Sequence, residues 1–259
     1  MPRYLCCLLL LAIMALPARA DMTGREIMVR VDAVDSSLDA TQTSTMTIRR
    51  GSMTLVRRME RVSKKYGENN EDKRSLVRFQ EPADVHGTTY LTWSYDDPER
   101  EDDMWIFLPA ESLVRRISGG GKKGSFMRSD LANEDIEDRA VDDDTHTLLG
   151  SEDKFGASCW IVESVPRPGL KRDTNYSKRI VYVRKDTFLP QFVEYYDRHG
   201  DLLKTATHGG FKQIDGIWTI TKSLYETPAR GTKTTFEHTD IRYNTGLDDS
   251  LFLQSALKR

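Results

Sequence analysis

The chain is poor in cysteine. It has three in 259 residues, and two of them, Cys6 and Cys7, lie in an apolar stretch at the N-terminus. Only Cys159 follows, so an internal disulfide is excluded once that stretch is removed. Cys159 sits in the strand-like run Ala157 to Val162 with no basic cluster beside it, which makes it a small core residue rather than a reactive thiol. An excess of positive charge is also missing: 38 basic residues face 40 acidic ones, the opposite of a nucleic-acid-binding footprint. The five histidines, His86, His146, His199, His208 and His238, form no H-E-x-x-H or H-x-H pattern, and no G-x-S-x-G occurs. The common zinc sets and the usual hydrolase elbow are therefore absent. Beyond residue 16 no apolar run approaches the roughly 20 residues of a membrane-spanning helix.

What is present begins with an address. Met1-Pro2-Arg3 is a short positive start, Leu5 to Leu16 is almost wholly apolar, and Leu16-Pro17-Ala18-Arg19-Ala20 carries the small-residue cleavage pattern. About a dozen apolar residues are too few to span a bilayer. The pattern predicts a signal peptide over residues 1–20, cut near Ala20, and an exported chain. Its removal takes two basic residues and no acidic ones, leaving a formal charge of −4. No Pro/Ser/Gly-rich linker interrupts the remainder, so residues 21–259 are expected to form one domain.

From Thr23 to Leu38 the apolar residues Ile27, Val31, Val34 and Leu38 recur at helical spacing, with Thr23 and Glu26 placed as a capping box. Almost everything after that is strand-like: short runs rich in Val, Ile, Thr and aromatics between Gly, Asp, Asn or Pro. Residues 45–50 and 52–62 flank Gly51 as a hairpin, and residues 75–80, 88–95, 104–108 and 113–118 follow. The second half continues with residues 158–165, 178–185, 191–197, 202–207, 217–225 and 232–242, with Asp215-Gly216 as the strongest hairpin signal. About ten strands on short turns imply an antiparallel sheet. The expected class is mainly β (α+β): a curved antiparallel sheet forming an unclosed β-barrel, with helices covering the open side. The covering candidates are the N-terminal helix and residues 129–138, and residues 248–257 form a short helix or covering tail.

The stretch from Trp105 to Ile136 carries no catalytic set. Gly119 to Ser125 has Lys-Gly-Ser where a phosphate loop needs Gly-Lys-Ser/Thr opening a helix, so it is a surface loop. The acidic run Glu134, Asp135, Glu137, Asp138, Asp142, Asp143 and Asp144 lacks the spacing of a calcium loop and is expected to be solvated. Basic residues gather at Arg57, Arg58, Arg61, Lys64 and Lys65 and again at Arg115 and Arg116. They are solvent-facing strand residues or contacts for anionic headgroups or an acidic partner.

These residues resemble the outer-membrane lipoprotein-sorting proteins, relatives of the Lol-type periplasmic lipoprotein carriers. The resemblance rests on Phe79 to Asp84 with Gly87 to Leu91, on Trp105 to Ala110, on Val114 to Ser118, and on Ser125 to Asp130 with Glu134-Asp135. It extends to Gly246 to Asp249 with Phe252 and departs at Arg128, where the family usually has Gly, and at Leu131, where it usually has an aromatic. It implies an unclosed barrel with a helical lid over a hydrophobic cavity that shields an acyl chain, with no cofactor and no catalysis. Relatives often work beside inner-membrane exporters of the resistance-nodulation-division type. The cavity candidates are Met46, Ile48, Leu55, Leu91, Trp93, Tyr95, Trp105, Phe107 and Phe126. The candidates for partner or headgroup contact are Arg57, Arg115, Arg116, Lys122 and Lys123. Three functions stay open: a periplasmic carrier of a lipid or lipoprotein acyl chain that touches membranes only transiently, an accessory subunit of such an exporter, or a hydrolase with no local motif. The first is preferred.

Overall fold

The computed structural model describes residues 22–169 and 174–258, so the expected signal peptide and Cys6 and Cys7 lie outside it. Helix α1 spans Gly24–Asp32 and opens with the expected capping box. Thr23 Oγ1 accepts from the Glu26 amide at 3.2 Å, and the Glu26 carboxylate accepts from the Thr23 amide at 2.7 Å. Gly24 is required here, because a Cβ would lie 2.7 Å from the backbone nitrogen of Leu148. The helix stops short of the expected Leu38, which is 55% exposed. Asp35 Oδ1 accepts from both the amide and the hydroxyl of Ser37, a local arrangement that competes with helical bonding.

Among the described residues fifteen strands follow. They are β1 Asp39–Arg50, β2 Met53–Tyr66, β3 Asp72–Glu81, β4 Thr89–Ser94, β5 Asp103–Leu108, β6 Leu113–Ile117, β7 Asp144–Lys154 and β8 Ala157–Pro166. Then come β9 Tyr176–Arg184, β10 Pro190–Asp197, β11 Leu202–Gly209, β12 Lys212–Ile214, β13 Ile217–Thr219, β14 Lys222–Thr227 and β15 Thr232–Tyr243. Thirteen of them form one antiparallel sheet in the order β6-β5-β4-β3-β2-β1-β15-β14-β11-β10-β9-β8-β7. The sheet is not closed: β6 and β7 are its two edges, and residues 118–143 join them.

Three expectations are corrected. The run 217–225 is two strands, and β13 leaves the sheet to pair with β12 across Asp215 (φ 50°) and Gly216 (φ 82°), both left-handed as that turn requires. Asp144, expected to end a solvated acidic run, is buried and opens edge strand β7, a strand not expected from the sequence. Residues 129–138 do not form a helix. Short 3-10 turns at Phe126–Arg128, Asn133–Ile136 and Val141–Asp143 are separated by extended residues such as Ser129 and Ala132, so no α-helical ladder can propagate.

The sheet is apolar on both faces. One half of the inner face holds Met46, Ile48, Met59, Val77, Phe79, Tyr90, Met104 and Phe236, packed against Phe126 and Leu131 of the connecting segment. The other half holds Val162, Val181, Val183, Val193 and Ala206 under Ile27 of α1. On the outer face Leu76, Leu91 and Trp105 are covered by Ala256 and Leu257 from the C-terminal turns Asp249–Phe252 and Gln254–Lys258. Cys159 is fully buried with Ile180, Tyr182 and Phe192.

Candidate ligand cavity and its plug

The segment joining β6 to β7 crosses the concave face and fills it as a plug. Residues 125–132 close on themselves: the Phe126 amide donates to Leu131 O at 2.8 Å and the Ser129 amide to Phe126 O at 2.9 Å. Ser125 and Ser129 hydroxyls cap the same turn. Phe126 projects into the wall, with ring centroids 5.0 Å from Tyr90 and 5.8 Å from Phe79. Between the plug and the wall remains a cavity of about 140 Å³. One side is apolar, formed by Met59, Val77, Phe126, Leu131, Ile136 and Phe236, and the other carries Gln42, Ser44, Ser223 and His238.

Polar groups, not sheet hydrogen bonds, hold the plug to the wall. The buried Asp130 carboxylate accepts from Thr227 at 2.7 Å, from Thr234 at 2.6 Å and from Thr232, while its amide donates to Thr234 Oγ1 at 3.0 Å. Lys204 donates to Asp130 O at 3.1 Å and pairs with Asp135, which also accepts from Tyr176 at 2.8 Å. Burial first, and then Asp135, push the Tyr176 hydroxyl well above its ordinary range. Arg57 donates to Met127 O, and burial lowers its guanidinium. Burial works to raise the Asp138 carboxyl, but Lys73 and Arg61 outweigh it and hold the group below the usual range.

At the start of the plug, Lys122 Nζ donates to Asp102 O at 2.8 Å and lies 2.9 Å from Glu137. Burial raises Glu137 to about 7 against the pull of Lys122, and Asp102 to about 6. The rest of the acidic run is paired: Asp142 with Arg25 at 2.8 Å, Asp144 with Arg139 at 2.8 Å. His146 bridges Ser164 and Val141 O. Among the described residues, no group of three or more His, Cys, Asp or Glu stands where it could hold a metal.

The cavity candidates separate between the two faces. Met46, Ile48 and Phe126 are buried in the inner cluster and Leu55 packs against it. Leu91, Trp93, Trp105 and Phe107 lie on the outer face under the C-terminal turns. Register explains this: Leu91 pairs with Trp105 and Thr89 with Phe107, while Tyr90 pairs with Ile106 and Thr92 with Met104 on the opposite face. Trp93 Nε1 donates to Phe252 O at 2.9 Å. Tyr95 lies past the end of β4, its hydroxyl on Asp103 and the Arg100 guanidinium 3.3 Å from its ring centre. The inner-face residues Met59, Val77, Tyr90, Met104, Tyr225 and Phe236 were missed. The contact candidates need correction too. Arg57 and Lys122 are buried and held by the plug rather than offered to a partner. Lys123 is half-buried. Arg115 and Arg116 are exposed on edge strand β6, paired with Glu111 and Asp103.

A family model described as "Uncharacterized protein" matches residues 71–259. A DUF1329 family protein from Desulfovibrio piger is 45% identical over 90% of this chain and 97% of its own, with a TM-score of 0.88. A putative outer membrane lipoprotein-sorting protein domain from Vibrio parahaemolyticus is 31% identical over 91% of this chain and 98% of its own, with a TM-score of 0.85. The chain belongs to the outer-membrane lipoprotein-sorting protein family. A LolA superfamily protein from Nitrosomonas europaea, 22% identical over 91% of this chain and all of its own, has a TM-score of 0.72 and shares the fold. No curated protein matches the chain. Within this sorting-protein family the Ser125 to Asp130 motif now has a place: it is the plug, and Arg128 adopts the left-handed φ of 61° that a glycine would take.

Proposed function

We propose that this protein is a periplasmic, non-enzymatic carrier that shields the acyl part of a lipid or lipoprotein in water, with residues 21–259 acting as one unit after loss of residues 1–20. The observation that carries the reading is the concave apolar wall covered by an irregular plug that takes no part in the sheet. Each buried methylene of a guest contributes about 0.8 kcal/mol, so an apolar wall is sufficient for binding and no bond need be made or broken. A space of this order takes up a benzene-sized molecule, so a longer chain enters only by displacing Phe126, Leu131 and Ile136. The contacts at Asp130, Asp135 and Arg57 would hold the closed state, and the guest would take the place of the plug's apolar side chains. The name of the 31% identical structure from Vibrio parahaemolyticus, a putative outer membrane lipoprotein-sorting protein domain, supports this reading.

The exporter-subunit reading has less behind it, since two of its five contact residues are buried. The carrier reading is tested by titrating delipidated protein with a fluorescent fatty-acyl probe, with and without a disulfide between Asp130→Cys and Thr232→Cys. Saturable binding is expected in the reduced form and its loss in the locked form. No saturable binding in either form removes the proposal.

A further inference from the structure

The inner wall is not apolar throughout. Across β2, β1, β15, β14 and β11 it carries a belt of Arg61, Gln42, Ser44, His238, Ser223 and His208. Register brings these together: Gln42 lies opposite Arg61, Ser44 opposite both Met59 and His238, and His208 opposite Ser223. The pairing of β1 with β15 shifts between Thr41 and Thr43, so Gln42 sits at a bulge, a device that re-aims side chains. His238 Nδ1 is engaged by Ser44 Oγ at 2.8 Å and Gln42 Nε2 at 3.4 Å, and His208 Nδ1 by Ser223 Oγ at 2.9 Å. The hydrogen bonds at these residues run through Gln42 Nε2 and the Nδ1 atoms of both histidines, and neither Gln42 Oε1 nor either histidine Nε2 is a fully buried unpartnered atom, which leaves them accessible. On the wall of the cavity, at Gln42 and His238, such accessible polar atoms are available for recognition.

The belt is electrically neutral. Arg61 is compensated by Asp138 at 3.2 Å, and Asp135 by Lys204. Among the described residues no carboxylate is paired with either histidine, and burial lowers both rings, to about 4, so they stand uncharged. A neutral site cannot repay the desolvation of an ionised headgroup, which costs several kcal/mol in a buried setting, yet it can bond an uncharged oxygen. Resting on the carrier reading above, we infer that Gln42, Ser44, Ser223 and His238 bind the uncharged ester or hydroxyl oxygens of an acylglycerol, and that the site discriminates against free carboxylates of the same chain length. The ester can come from a free neutral lipid or from the acylglyceryl group of a lipidated protein.

The test is displacement of the acyl probe at pH 7.5 by monomyristoylglycerol, by myristate and by a diacylglyceryl-cysteine peptide. The glycerol ester is expected to compete at least tenfold better than the carboxylate. His238→Phe should reduce that ratio to near one. Gln42→Leu, at the bulge, does the same with less risk to the fold. Competition by the peptide as well assigns the ester to a lipidated protein, and competition by the free glycerolipid alone assigns it to a lipid. If myristate and monomyristoylglycerol compete equally, or the variants leave the ratio unchanged, the polar-belt assignment falls and the carrier reading stands. If no acyl compound binds, both fall.

Discussion

Met127 and Arg128 both hold left-handed backbone, with φ of 49° and 61°. For residues with a Cβ such a conformation costs about 1–2 kcal/mol each, and it persists because the turn is fixed at both ends by Phe126 and Ser129. Arg128→Gly relieves that strain and raises the entropy of the unfolded chain. The expected net effect is a gain of about 0.5–1 kcal/mol in urea unfolding; a loss would show that the Arg128 side chain contributes more than its backbone costs. At this scale the sequence was only partly legible. Phe126, Met46 and Ile48 could be placed in the interior from apolar alternation, but Leu91 and Trp93 could not. Strand β4 is buried on both faces, so its residues carry no signal of which face is inner. Aromatic content favoured the odd positions, whereas the inner wall uses Tyr90. The burial of Arg57 and Lys122 is hidden from local sequence for a related reason, since it depends on the distant carbonyls of Met127 and Asp102 and, for Lys122, on the carboxylate of Glu137.

At the scale of elements, local signals were dependable and tertiary ones were not. The capping box at Thr23 and the turns at Gly51 and Asp215-Gly216 act within a few residues, and the structure keeps all three. The plug is held by contacts distant in sequence, such as Arg57 to Met127 and Asp130 to Thr234, 70 and 104 residues apart, and nothing in its own sequence specifies them. Its electrostatics make it pH-sensitive. Glu137, half of a buried pair with Lys122, has its carboxyl raised from 4.5 to about 7. The folded state therefore binds a proton there that the unfolded chain has released, so this contribution is complete below pH 4.5 and is lost as pH rises through about 7. The stability of the native protein relative to Glu137→Gln should fall across that window in denaturant melts, and a difference independent of pH would contradict it. The C-terminal turns form a second cover, on the outer face. Phe252, at the end of the first of them, is fully buried, and its carbonyl accepts from Trp93 Nε1. Phe252→Ala is expected to cost about 3–5 kcal/mol and to shift tryptophan emission to the red as Trp93 and Trp105 gain water. Unchanged emission would place the tail's packing elsewhere.

For the molecule as a whole, the thirteen-stranded open sheet has three covers of different character. The helix α1 over one half of the concave face and the C-terminal turns over the outer face both pack through apolar side chains. The plug over the other half combines apolar side chains with a ring of polar anchors, Asp130, Asp135, Asp138 and the carbonyl of Met127. Polar anchors can be released to water without exposing apolar surface, while the plug's apolar side chains can be replaced by a guest's methylenes at little net change. On the carrier reading proposed above, this difference makes the plug, rather than the helix or the tail, the moving part. Hydrogen–deuterium exchange of the delipidated protein, with and without a saturating acyl ligand, tests this most directly. The amides of Phe126 and Asp130, bonded to Leu131 O and Thr234 Oγ1, should exchange faster in the complex while those of β1, β2 and β15 slow. A bound ligand that leaves both plug amides as protected as before, or more so, would contradict a carrier that opens at the plug.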